Sequence, residues 1–115
     1  MAISTSKVLA AVYDERVRQD KKWGQQNWSP SFYLAILAEE FGEVAKEAVE
    51  YTIAGLKGNE SARMFRRTNI VKELIQVAAV AVAWIEAIDR HDCGVAEACP
   101  CITYQTEHKH AGEQA

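Results

Sequence analysis

The stretch Lys72–Ile88, KELIQVAAVAVAWIEAI, decides the fold. Its apolar run from Val77 to Ile85 is bounded by Gln76 and Glu86. Val80–Val82 alternates as a strand would, but the surrounding Glu, Leu, Ala and Lys favour a helix, and no turn residue interrupts the run. A helix that is apolar on every side is buried all round, which in so small a domain predicts a partner subunit. Ala78, Ala79, Ala81 and Ala83 leave room for neighbouring helices to approach closely.

Upstream, this helix is expected to begin at about Asn59 or Ala62, with room for a break near Thr68, and to end at Asp89. A second helix should open near Ser29 or Ser31, with Pro30 tolerated in its first turn, and end before Gly55 and Gly58. At ~100° per residue, Leu34, Leu37, Phe41, Val44, Ala45, Ala48 and Val49 share one face. Glu40 and Glu47 stand on its shoulder, and Glu43 lies farther round. A first helix should start at Ser4, Thr5 and Ser6, whose hydroxyls can cap free N–H groups, and run to about Lys21 with Val8, Leu9, Val12 and Val17 as its apolar stripe. Between these two helices WGQQNWSP, residues 23–30, reads as a loop carrying Trp23 and Trp28.

The sequence therefore divides into an all-α domain over 1–90 and a loosely structured tail over 91–115. The chain of 115 residues is 49% hydrophobic, enough for one core and too short for two ordinary ones. A formal net charge of −3 argues against duplex nucleic acid as a partner. No apolar run approaches the ~20 residues that a membrane span needs, and the N-terminus lacks a secretory pattern, so a cytoplasmic location is expected. Cys93, Cys99 and Cys101 are odd in number and cannot close a disulfide framework. Their spacing with His91, His108 and His110 fits none of the common zinc-finger patterns. No GxxxxGKS or GxGxxG phosphate loop occurs, and no Glu-x-x-His pair of the di-iron type.

The chemistry lies in two pairs of oxygen-bearing side chains at equal spacing on successive helices: Glu40 and Glu43 in EEFGEVAKEA (39–48), then Glu73 and Gln76. Several buried carboxylates cost several kcal/mol each unless a cation offsets them, and hard divalent ions take such ligands. At these residues the chain resembles the MazG-like branch of the all-α nucleoside triphosphate pyrophosphohydrolases, whose motif is EExxE followed after a spacer by ExxD. Glu39, Glu40 and Glu43 match the first part and Glu73 opens the second. RQDKKWGQQNW (18–28) and ELIQVAAVAVAWIEAIDR (73–90) are similar to a bacterial and bacteriophage subgroup, so the resemblance spans roughly Val12 to Arg90. Gln76 stands where the family has aspartate, and it supplies an oxygen without a charge.

The resemblance implies a helical domain that completes a four-helix-type bundle as a homodimer or homotetramer. It also implies Mg²⁺, with Mn²⁺ able to substitute, and cleavage of a nucleoside triphosphate between its α and β phosphates. Carried over, Glu40, Glu43 and Glu73 become metal ligands and Gln76 an auxiliary ligand, with Glu39 and Glu43 on the catalytic side. Lys22, Trp23 and Gln26 would meet the substrate, and Glu47 joins them by its shoulder position alone. The tryptophans suit stacking on a base or anchoring the loop. With Gln76 in the motif, a catalytically silent nucleotide- or protein-binding module of the same fold is the alternative.

Overall fold

Each helix of this chain begins where a side chain can hold the backbone N–H groups that the first turn leaves free. The computed structural model describes residues 2–90. The expectations for the tail and its cysteines and histidines lie outside the described residues. The Ser4 hydroxyl accepts from the Lys7 N–H and opens α1, Thr5–Trp23. Ser29 accepts from Phe32 and opens α2, Pro30–Leu56, with Pro30 in the first turn. Asn59 accepts from Ala62 and opens α3, Glu60–Asp89. No strand forms among the described residues, so the all-α expectation holds.

Glycine sets two of the helix ends. Gly24 follows α1 with φ 73°, and its N–H donates to Asp20 O. Gly58 turns the chain from α2 into α3 with φ 69°. Both positions need a backbone that a Cβ disfavours.

Three boundaries differ from expectation. Helix α1 runs two residues past Lys21, so Trp23 belongs to its last turn and not to the loop. Helix α2 continues through Gly55 to Leu56; helix interiors tolerate glycine, and the turn sits at Gly58. Helix α3 is unbroken at Thr68, whose hydroxyl folds back onto Met64 O.

Helix α3 is the axis of the molecule. Both α1 and α2 pack against it, whereas α1 and α2 do not pack on each other. Tyr33, Ala83 and Ala87 form the core, with Trp84 packed against them and stacked on Tyr33 at 5.9 Å between ring centroids. Ala79 and Ala87 are fully buried, so the alanines do admit close neighbours. Around them α3 is more open than its composition suggests: Val82 and Ile85 are exposed.

The inward face of α2 also departs from the expected one. Tyr33, Ile36, Leu37, Glu40, Val44 and Glu47 are buried or half-buried, but Leu34, Phe41 and Val49 are exposed. The seam against α3 thus carries two of the glutamates, and part of the apolar arc faces outward. No helix among the described residues is long and apolar enough to cross a membrane.

Candidate functional site

Helix α1 is held on α3 by Arg16, which donates to Glu86 Oε1 at 2.8 Å and to Asp20 Oδ1 at 2.9 Å. This docking brings Gln19 and Trp23 of α1 to one cavity with Glu40 of α2 and Gln76 of α3. The 24–29 loop is fastened separately. The Tyr33 hydroxyl donates to Gln26 O at 2.7 Å, and Arg90 donates to the same carbonyl at 3.2 Å.

Between them lies a cavity of about 200 Å³ with three kinds of lining. Ile36, Val80 and Ala83 are its apolar part, Trp23 and Tyr33 its aromatic part, and Gln19, Gln26, Gln76 and Glu40 its polar part. A mostly apolar recess with a few convergent polar groups is the usual form of a small-molecule site.

Four residues singled out in the sequence therefore border one space: Trp23, Gln26, Glu40 and Gln76. Glu73 is half-buried on α3, while Glu39 and Glu43 are exposed on α2. Burial pushes the Glu40 carboxyl above its usual range, and the charges of Glu73, Glu39, Glu43 and Glu15 push it the same way. Among the described residues Glu40, Glu43 and Glu73 have no hydrogen bond or ion pair to relieve this repulsion. As placed, no three His, Cys, Asp or Glu side chains among the described residues form a group able to hold a metal ion. Two features nonetheless suit a hard cation: the donors are all oxygen, and negative charge at Glu40 is uncompensated.

Other expected residues lie elsewhere. Glu47 is held by Arg66 at 3.2 Å and Asn69 at 3.4 Å, and it does not line the cavity. Lys22 Nζ sits 4.6 Å from the centre of the Trp23 ring, with the Arg18 guanidinium at 5.9 Å. The indole thus brings positive charge to the cavity rim. Trp28 packs on Phe32 at 4.7 Å between centroids and stays 40% exposed, away from the cavity.

The helix α1 was expected, but not the part that its Glu15 and Gln19 play at the cavity. Gln19 is 7% exposed and lines the cavity. Glu15 contacts Arg18, Gln19 and Gln76. The hydrogen bond from Arg18 holds its carboxyl below the ordinary range against the opposing effect of burial. A signal was present: Val12, Glu15, Gln19 and Trp23 continue one helical stripe at spacings of three and four. Tyr33 was missed as well, although its hydroxyl fixes the loop that carries Gln26.

No protein-family model, curated protein or solved structure matches this chain.

Proposed function

We propose that the cavity is a nucleotide site and that the protein hydrolyses a (deoxy)nucleoside triphosphate between its α and β phosphates, in the manner of the MazG-like pyrophosphohydrolases that it resembles. One observation carries this reading. An aromatic and amide-lined recess, able to hold a planar polar heterocycle, is continuous with a half-buried carboxylate that has acidic neighbours and no cationic partner. Groups of these two kinds suit the two ends of a nucleotide bound through a divalent ion.

In this reading Trp23 stacks on the base, while Gln26 meets its edge. Lys22, already against the indole, lies where it can attract the triphosphate. Glu40, Glu43 and Glu73 would hold Mg²⁺, or Mn²⁺ in its place. When bound, the ion neutralises the polyphosphate and acidifies the attacking water. Glu39, exposed on the same helix, takes up the proton that the water loses, and Glu43 serves the reaction through the ion. The water oxygen adds to phosphorus and the bridging P–O bond breaks, giving monophosphate and pyrophosphate. Glu47 is engaged with Arg66 and serves the α2–α3 seam.

The apolar residues left outside, Phe41 and Val49 on α2 with Val82 and Ile85 on α3, support assembly with further copies into a four-helix-type core, as dimer or tetramer. The cytoplasm is the compartment where such an enzyme meets its nucleotides.

The test is direct. With Mg²⁺ and a panel of dNTPs and NTPs, the protein should release equal amounts of monophosphate and pyrophosphate. Glu43→Gln should abolish release while leaving the circular dichroism spectrum unchanged. The second reading, a silent nucleotide- or protein-binding module, is favoured by one observation: Gln76 is already hydrogen-bonded to Gln19. Saturable nucleotide binding without product would establish it.

A further inference from the structure

The polarity of one carboxamide in this cavity is set from the far side of α1. Arg16 carries only donors. Its Nη1 donates to Gln19 Oε1 at 3.0 Å, so that oxygen faces Arg16 and the Gln19 Nε2 faces away. Arg16 is itself fixed by Glu86 and Asp20, and Gln19 is too buried for water to offer another arrangement. The Gln19 Nε2 then spends its two hydrogens on Glu15 Oε2 at 3.3 Å and Gln76 Oε1 at 3.4 Å.

The consequence falls on Gln76. Its oxygen accepts from Gln19, so its own NH₂ group turns the other way, on the side of the Glu15 carboxyl, whose pKa its interaction helps to lower. Reversing the amide would set its nitrogen against the Gln19 nitrogen, a repulsive contact in place of an attractive one. The second N–H of Gln76 meets no acceptor among the described residues, and the side chain lines the cavity.

We infer that Gln76 acts as a hydrogen-bond donor that presents this free N–H to an acceptor oxygen of the bound molecule, and that it is a specificity residue and not a ligand of the cation. Arg16, Gln19 and Glu15 are positioning residues that hold the amide in this sense. The orientation stands on the hydrogen bonds alone; the identity of the acceptor, a phosphate oxygen or a base carbonyl, rests on the nucleotide reading above. An aspartate at position 76 would set a second carboxylate against Glu15, a like-charge contact that the carboxamide avoids.

The side-chain amide signals of Gln76, assigned by their loss in Gln76→Met, report on this in the full chain by nitrogen–proton correlation spectroscopy. They should move in Glu15→Gln. One of the two N–H signals should shift further when ligand is added without metal. A response to a deoxynucleoside places the acceptor on the base, and a response to inorganic pyrophosphate places it on phosphate. Gln76→Met should weaken dNTP binding about tenfold, the worth of one hydrogen bond, and leave the affinity for Mn²⁺ alone unchanged. Loss of Mn²⁺ affinity in that variant would overturn the inference. So would Gln76 signals that ignore both Glu15→Gln and every added ligand. If the amide responds as expected but no nucleotide is turned over, the hydrolase reading falls and the donor role stands.

Discussion

At the scale of single residues, Glu40 is where stability and function oppose each other. Its carboxyl is raised by burial first and by Glu73, Glu39, Glu43 and Glu15 after that. A carboxyl whose folded pKa lies above its unfolded value binds protons more readily in the folded state, so its ionisation costs stability as pH rises through the folded value. Below the unfolded value that cost is absent. Glu40→Gln should therefore raise Tm in metal-free buffer near neutral pH, and the gain should fade as the pH drops into the ordinary carboxylate range. Thermal melts across pH check this; a variant less stable than the parent at neutral pH would show that the carboxylate is held by attraction. Tyr33 makes the opposite case. It is 1% exposed and joins the core to the loop through Gln26 O. Tyr33→Phe keeps the packing and loses the donor, while Arg90 still covers that carbonyl. The cost should be about 1 kcal/mol, or roughly 4–8 °C in Tm for a domain of this size. A larger share of the effect should appear in KM than in kcat, because Gln26 is a binding group in the proposed site.

At the scale of elements, α1 is the piece whose attachment decides whether the cavity exists. It packs on α3 and not on α2, and Arg16 joins it to α3 by bonding Glu86. Arg16→Met should loosen α1, costing about 1–3 kcal/mol for a partly buried charged hydrogen-bond network, and should weaken nucleotide binding because Gln19 and Trp23 move with it. Amide hydrogen exchange should rise along 5–23 before it rises along α3. The helices themselves were legible because their signals are local: Ser4, Ser29 and Asn59 act within three residues of themselves, and Pro30 fixes the entry to α2. Spacing alone did less for the oxygen-bearing pairs: Glu40 and Gln76 line the cavity, whereas Glu43, three residues from Glu40, is exposed. What could not be read locally was which helix faces which. Gln19 enters the site only because α1 docks beside Gln76, 57 residues away in sequence. Trp23 was expected in a loop that Gly24, Asn27 and Pro30 mark, yet Gly24 is the residue that ends the helix and leaves Trp23 in its last turn.

At the scale of the whole molecule, the chain leaves apolar surface that its own helices do not cover. The expectation that α3 is buried all round carried with it a partner subunit to supply the missing neighbours. With α1 and α2 as the only packed partners among the described residues, Leu74, Val82 and Ile85 remain 48%, 36% and 49% exposed. On α2, Phe41 is 65% exposed although it sits on the arc that the sequence marks as apolar. A spacing of three relates Val71 to Leu74 and Val82 to Ile85, and two spacings of four through Ala78 join Leu74 to Val82, a stripe of the kind that bundle seams use. If a second copy covers it through a two-fold axis, each substitution acts twice. Phe41→Glu would then remove ~2 kcal/mol of burial on each side, weakening association by about a thousandfold. Sedimentation should find the parent as a dimer or tetramer at micromolar concentration and the variant as a monomer. Because Phe41 lies beside Glu40 and points away from the cavity lining, turnover per chain separates two roles for assembly. Activity that falls in step with the assembled fraction means that the neighbouring copy organises the carboxylates, and undiminished activity in the monomer means that a single chain holds a complete site.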